Sequence, residues 1–99
     1  KVDVLKVAHH GSDTSSSEKF LNSLKPETAI ISVGTNNTYS HPSRDVLTRL
    51  QSLGTKVYRT DEDGTILITC DGKSYNVQTF MTALDGNAST ANKVVNVEE

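Results

Sequence analysis

The sequence predicts an α/β fold with the order β-α-β-α-β-β-β, its two helices lying on one face of the sheet. Three observations carry that reading. Residues 2–8 and 28–33 are short apolar runs rich in β-branched side chains, as strands buried on both faces require. Apolar residues then recur at helical spacing, Phe20-Leu21-Leu24 and Val46-Leu47-Leu50-Leu53. Asp71-Gly72, between two strand-like runs, is a strong hairpin signal. At 99 residues the chain has bulk for one small domain with a modest core.

Taken in order, the first strand (2–8) stops abruptly at His9-His10-Gly11-Ser12. Gly11 lacks a Cβ and lets the chain turn sharply there, into a loop over 11–14. Ser15 with Glu18 three residues on forms a capping box for the first helix, whose apolar face is Phe20, Leu21 and Leu24. Pro26 ends that helix, because a proline disfavours the α region in the residue before it. The second strand (28–33) runs into a polar loop over 34–40, where Asn36-Asn37 favours turns. The second helix opens with Pro42 at its first position or with Ser43 as its cap; both fit. Gly54 suits the position just past its end. Residues 56–60 are a third strand, 61–64 a turn, and 65–70 with 73–80 the hairpin. After Met81 the pattern dissolves. Residues 81–99 read as a linker or disordered tail, with Val94, Val95 and Val97 too few to form a core.

Composition narrows the function. A net charge of -2 and a pI near 5.9, with Lys and Arg scattered, give no electrostatic footprint for nucleic acid from this stretch alone. The single Cys70 excludes an internal disulfide and a cysteine-rich zinc site, and reads as a small buried hydrophobe. No run approaches the roughly 20 apolar residues of a membrane span, so no membrane contact is expected from this segment. No signal-peptide pattern is visible. The chain opens in strand-like sequence without an initiator Met, and reads as a piece of something longer.

The candidate chemistry lies where the first strand ends, since open α/β sheets place ligands beyond the carboxyl ends of their strands. Adjacent strand residues face opposite ways. One of His9 and His10 therefore reads as a metal ligand and the other as structural, unless the chain is already turning there. Imidazole suits zinc, manganese or iron. A His-His pair by spacing alone is equally well a polar loop. Ser12, in the same turn, can orient a ligand or bind an anion; it is too near His10 in sequence for a Ser/His catalytic pair. If the first two strands are parallel neighbours, Tyr39 and His41 reach the same edge as His10 and can contact substrate. The plainer account is a helix cap with a packed tyrosine. Asp61-Glu62-Asp63-Gly64 has the start of a calcium loop and lacks its closing glutamate, so it reads as a turn.

These stretches, in this order and spacing, carry a resemblance: Val4 through Ser12, Ser15-Ser16-Ser17, Ile30-Ile31-Ser32-Val33-Gly34, Asn37, Tyr39, His41-Pro42, and Val57 through Ile66. Over residues 1–80 the chain resembles the C-terminal half of the metallo-β-lactamase-fold domain of ComEC-type competence proteins. The resemblance implies half of an αββα sandwich. It implies a dinuclear zinc or manganese site in the parent protein, hydrolysis of phosphodiester bonds, a nuclease role in DNA uptake, and an extracytoplasmic or secreted setting. The His-Gly-Ser element matches the superfamily's late histidine motif, which favours His10 as the ligand, with His9 the alternative. His41 matches a His-Pro signature at the active-site edge; where the family often shows a second His-Pro, Ser43 stands. Catalytic roles fall on His41 and Ser12.

The early His-x-His-x-Asp-His motif and the metal-bridging aspartate are not among these residues. A catalytic zinc site needs about three protein ligands and a water, and this chain offers one or two. The expectation is a chain that binds no metal tightly and hydrolyses nothing alone. Its partner is the missing N-terminal half of the domain, and DNA or another phosphodiester is the parent's substrate. A half-sandwich also leaves one sheet face uncovered, sticky or closed by self-association. The competing readings are a small non-enzymatic α/β binding module with incidental histidines, and a degenerate metallo-β-lactamase fold kept for interaction.

Overall fold

The structure is a computed structural model that describes residues 2–35, 37, 39–80, 90–94 and 97–98. It is a mixed α/β fold built on two sheets. Strands β1 (Val4–Lys6), β2 (Thr28–Ile31) and β3 (Lys56–Arg59) pair in parallel in the order β3-β2-β1, and β7 (Val97–Glu98) adds in parallel to β1. Helices α1 (Glu18–Leu24) and α2 (Arg44–Ser52) are the crossovers. Right-handed crossovers that step the same way across a sheet put their helices on the same face. Residue parity confirms it. Leu5, Val7, Ala29, Ile31 and Val33 pack with Leu21 of α1 and Val46 and Leu50 of α2 in one core.

The opposite parity faces a second core. Val4, Ile30 and Tyr58 meet Ile66, Ile68, Tyr75 and Val77. Those come from an antiparallel sheet of β4 (Thr65–Cys70), β5 (Ser74–Phe80) and β6 (Thr90–Val94), in the order β4-β5-β6. The hairpin turn is fixed by Asp71, whose Oδ1 accepts from the backbone N–H of Lys73 (2.8 Å) and Ser74 (2.7 Å). Those two donors hold the Asp71 carboxyl below the usual carboxylate range, Ser74 first. Tyr75 provides a polar link between the sheets. Tyr75 Oη donates to Glu27 Oε1 at 2.7 Å and lies 2.9 Å from Thr28 Oγ1. A phenol has one proton, so Thr28 is the donor in the second bond. Burial, with the Glu27 carboxylate adding to it, raises the Tyr75 hydroxyl to about 12.

Several expectations need correcting. The cap of α1 is Ser17, whose side chain accepts from the Phe20 N–H, and Ser15 lies outside the helix. Glu18 is then the first helical residue, not the third, so the capping box does not form. Phe20 is 46% exposed, so the apolar face of α1 is Leu21 with Leu24. Of the two openings the sequence allows for α2, the structure takes Ser43 as the cap: its side chain accepts from the Val46 N–H. The turn at 61–64 is a one-turn helix, α3 (Thr60–Asp63), ended by Gly64. Cys70 is exposed: it shares the inward parity of Ile66 and Ile68 but is the last residue of edge strand β4, at the hairpin turn. The expected bare face of the parallel sheet is covered in part by the second sheet. Within 81–99, where composition predicts a tail, residues 90–94 and 97–98 are strands; the open edges of β5 and β1 supply backbone partners that composition cannot reveal. The rest of 81–99 lies outside the described residues.

Candidate functional site

Because β1, β2 and β3 are parallel, the segments that follow them meet at one edge of the sheet. After β1 the chain enters a 3-10 turn over Ala8–Gly11, where His9 (φ 51°), His10 (φ 57°) and Gly11 (φ 83°) are successive left-handed residues. Histidine is among the few L-residues enriched in that region. The strand has therefore ended before the histidines, and strand alternation does not separate them. Both are exposed at the rim.

Each imidazole is held from one side. His10 Nδ1 donates to the Ser32 carbonyl just beyond β2, at 2.6 Å. That bond fixes the ring and, in the neutral form, leaves the lone pair on Nε2. His9 Nδ1 bonds the Ser15 hydroxyl. Ser12 is nearly buried, and its hydroxyl bonds within its own turn, to Thr14 Oγ1 (2.9 Å) and the Thr14 N–H (3.3 Å). Its placement is that of a turn former beside the histidines.

The second loop is brought against the first. The Ser43 N–H donates to the Gly11 carbonyl at 2.8 Å. A Cβ on Gly11 would overlap the Pro42 ring and lie 2.9 Å from Pro42 Cα, so only glycine permits the approach. The His41-Pro42 peptide is cis. Asn37 shapes this loop: its Oδ1 accepts from the His41 N–H (2.8 Å), and its Nδ2 donates to the carbonyls of His41 (2.8 Å) and Gly34 (3.1 Å). Tyr39 stacks on His41, ring centroids 5.8 Å apart and planes 18° from parallel. The structure thus brings His9, His10, Ser12 and His41 onto adjoining loops of one edge.

The third segment is a brace. Thr60 Oγ1 accepts from the Val33 N–H and donates to the Val33 carbonyl, both at 2.8 Å, extending the β2–β3 pairing through a side chain. The acidic run closes on Arg59. Asp61 grips the guanidinium with both oxygens (3.0 and 2.7 Å), Glu62 lies 3.2 Å away, and Asp63 accepts from the Arg59 N–H. Asp61 holds Arg59 still more firmly protonated. This is an internal clamp: Asp61 and Glu62 pair with the Arg59 guanidinium, and Asp63 with its backbone N–H.

Among the described residues no group of three or more His, Cys, Asp or Glu comes together to hold a metal ion. His10, with Nδ1 on a carbonyl, has the preparation expected of a single metal-ligating imidazole. Sequence reasoning assigns Asn37 a turn preference and Thr60 a strand end, and ties neither to another segment. Their signal was the side chain's capacity to mimic backbone, which marks a turn former without naming the loop it ties.

The chain is similar to ComE operon protein 3 of Bacillus subtilis (strain 168), 56% identical over 66 residues, which is 67% of this chain and 8% of that protein. It is 48% identical over 63 residues to Competence protein ComA of Neisseria gonorrhoeae, covering 64% of this chain and 9% of that protein. It is 41% identical over 68 residues to Recombination protein 2 of Haemophilus influenzae, covering 69% and 9%. The chain thus spans less than a tenth of the length of these relatives, and over about two thirds of itself it is a competence-protein-related segment. No family model and no solved structure matches it.

Proposed function

We propose that this chain is the late half of a metallo-β-lactamase-type hydrolytic domain in a longer protein that acts on the phosphodiester bonds of DNA during competence. The relatives support the competence setting. The observation that carries the chemistry is the His10 Nδ1 to Ser32 carbonyl bond, which prepares Nε2 as a ligand at the carboxyl edge of a parallel sheet. His10 is the late ligand, and His9, tied to Ser15, lines the same turn. His41, seated by Asn37 on the loop that Pro42 and Ser43 fasten to Gly11, forms the substrate-side edge. The remaining ligands come from residues outside this chain. A divalent cation, zinc or manganese, supplies Lewis acidity and an activated water when the set is complete.

The test is His10→Ala in the full-length protein, read as bound metal per chain and as phosphodiester hydrolysis. Both are expected to fall. Unchanged metal and activity would remove His10 from the ligand set. A wild type that keeps its metal stoichiometry without any hydrolysis would favour a fold retained for interaction. Titrating zinc into the 99-residue chain alone checks that the site is incomplete: tight one-to-one binding would contradict it.

A further inference from the structure

The three tyrosines of this chain are placed very differently. Tyr58 and Tyr75 are core residues, 6% and 2% exposed, whereas Tyr39 is 78% exposed, the most exposed large apolar side chain described. Leaving an aromatic ring that bare forfeits the burial that usually holds it in a fold. Yet the Tyr39 ring has a partner. One face stacks on His41, the Asn37 side chain fixes both backbone groups of His41, and Ser43 ties the same loop to Gly11. The ring's other face is presented to solvent on the loop that adjoins His10. An aromatic ring already stacked on one face, beside a candidate catalytic rim, can take one more planar ring at a lower ordering cost than a ring with no partner.

We infer that Tyr39 is a nucleobase-stacking platform that seats an unpaired base of a single-stranded DNA next to the His10 rim, a specificity that rests on the proposed function. A base in a duplex is paired and stacked on its neighbours, so only an unpaired one offers a free face. The charge balance favours a base contact over a backbone contact: at a net charge of -2 the chain supplies little attraction for phosphates, and stacking needs none. His41, Tyr39 and the base form one continuous pile of rings. The base is held by shape and π-surface, so any of the four serves.

The experiment measures binding to the full-length protein with metal chelated, using a labelled single-stranded oligonucleotide and an abasic strand of equal length. Tyr39→Ala is expected to weaken the base-bearing strand by about 10-fold, within the ~5- to 150-fold that loss of one stacked base produces. The abasic strand should bind both proteins alike. Tyr39→Trp should restore the difference, and the salt dependence should not move, because no phosphate contact is lost. If Tyr39→Ala weakens both strands equally, or neither, the platform is overturned. Hydrolysis of bis(p-nitrophenyl) phosphate by the wild type, with zinc or manganese added, tests the proposed function separately. Its absence sinks that reading, while base discrimination in chelator stands or falls alone.

Discussion

Replacing Gly11 by alanine tests whether the two loops are fastened together as described. The new Cβ meets a fixed proline ring, not the end of a flexible side chain, and lies 2.9 Å from Pro42 Cα. Gly11 also sits at φ +83°, where an L-residue is strained by about 1–2 kcal/mol. Forcing a methyl into an occupied contact adds about 1–3 kcal/mol. The sum is about 2–5 kcal/mol, which for a chain of this size lowers the melting temperature by about 10 °C or more. Gly72→Ala is the matched control, with φ +91° and nothing within 4 Å of the new Cβ. It carries the backbone strain without the overlap and should cost only about 1–2 kcal/mol. Urea unfolding followed by circular dichroism gives both values, with the midpoint falling at unchanged slope. The excess of Gly11→Ala over Gly72→Ala is the worth of the Gly11–Pro42 fit. Equal costs would mean that the loops are not in contact and that the shared rim does not exist.

Thr60→Val keeps the side chain's shape but strips two backbone groups of Val33 of their partner; about 1–3 kcal/mol of stability should go, read by the same urea titration. Asn37→Ala should speed hydrogen exchange at the His41 amide, which loses its acceptor, and exchange at the wild-type rate would show that the clamp is idle. Tyr75 gives an alkaline signature. Its folded-state value, about 12, lies above the ordinary tyrosine value of 10.0, so the folded chain holds the proton longer. The stabilisation is fully present below pH 10 and is lost as pH rises from 10 to about 12. Tyr75→Phe should flatten that decline in a pH series of unfolding midpoints; an equally steep decline in the variant would reject the assignment.

Much of the fold was legible because period and punctuation agree in this sequence. The apolar runs at 4–7 and 28–31 have too few residues for helices and both faces covered, and the spacing of Val46 and Leu50 fits only a helix lying on a core. Asp71-Gly72 announced its hairpin, and Asp71 acts there through its own side chain. What stayed hidden depends on contacts between distant residues. Nothing local distinguishes Ser15 from Ser17 as a helix cap, since either can start a turn. Spacing leaves open whether His9 and His10 continue the strand or already turn; they turn, in a left-handed conformation that is unusual for any residue but glycine and leaves little trace in composition. The meeting of Gly11 with Pro42 joins loops far apart in the chain, and no spacing rule predicts it. The cover over the second sheet face came from strands that were recognised individually but whose docking was not.

That docking has a consequence for how the chain is made. The β4–β5 hairpin closes locally around Asp71, but the Tyr75–Thr28 bond reaches across 47 residues. Long closures are slow, because entropy is lost before contacts compensate for it. During synthesis β1, β2 and β3 emerge first, with Val4, Ile30 and Tyr58 wet until the hairpin follows. At about 5–20 residues per second that interval lasts on the order of seconds. In that window the nascent chain is most open to misassociation and to capture by a chaperone.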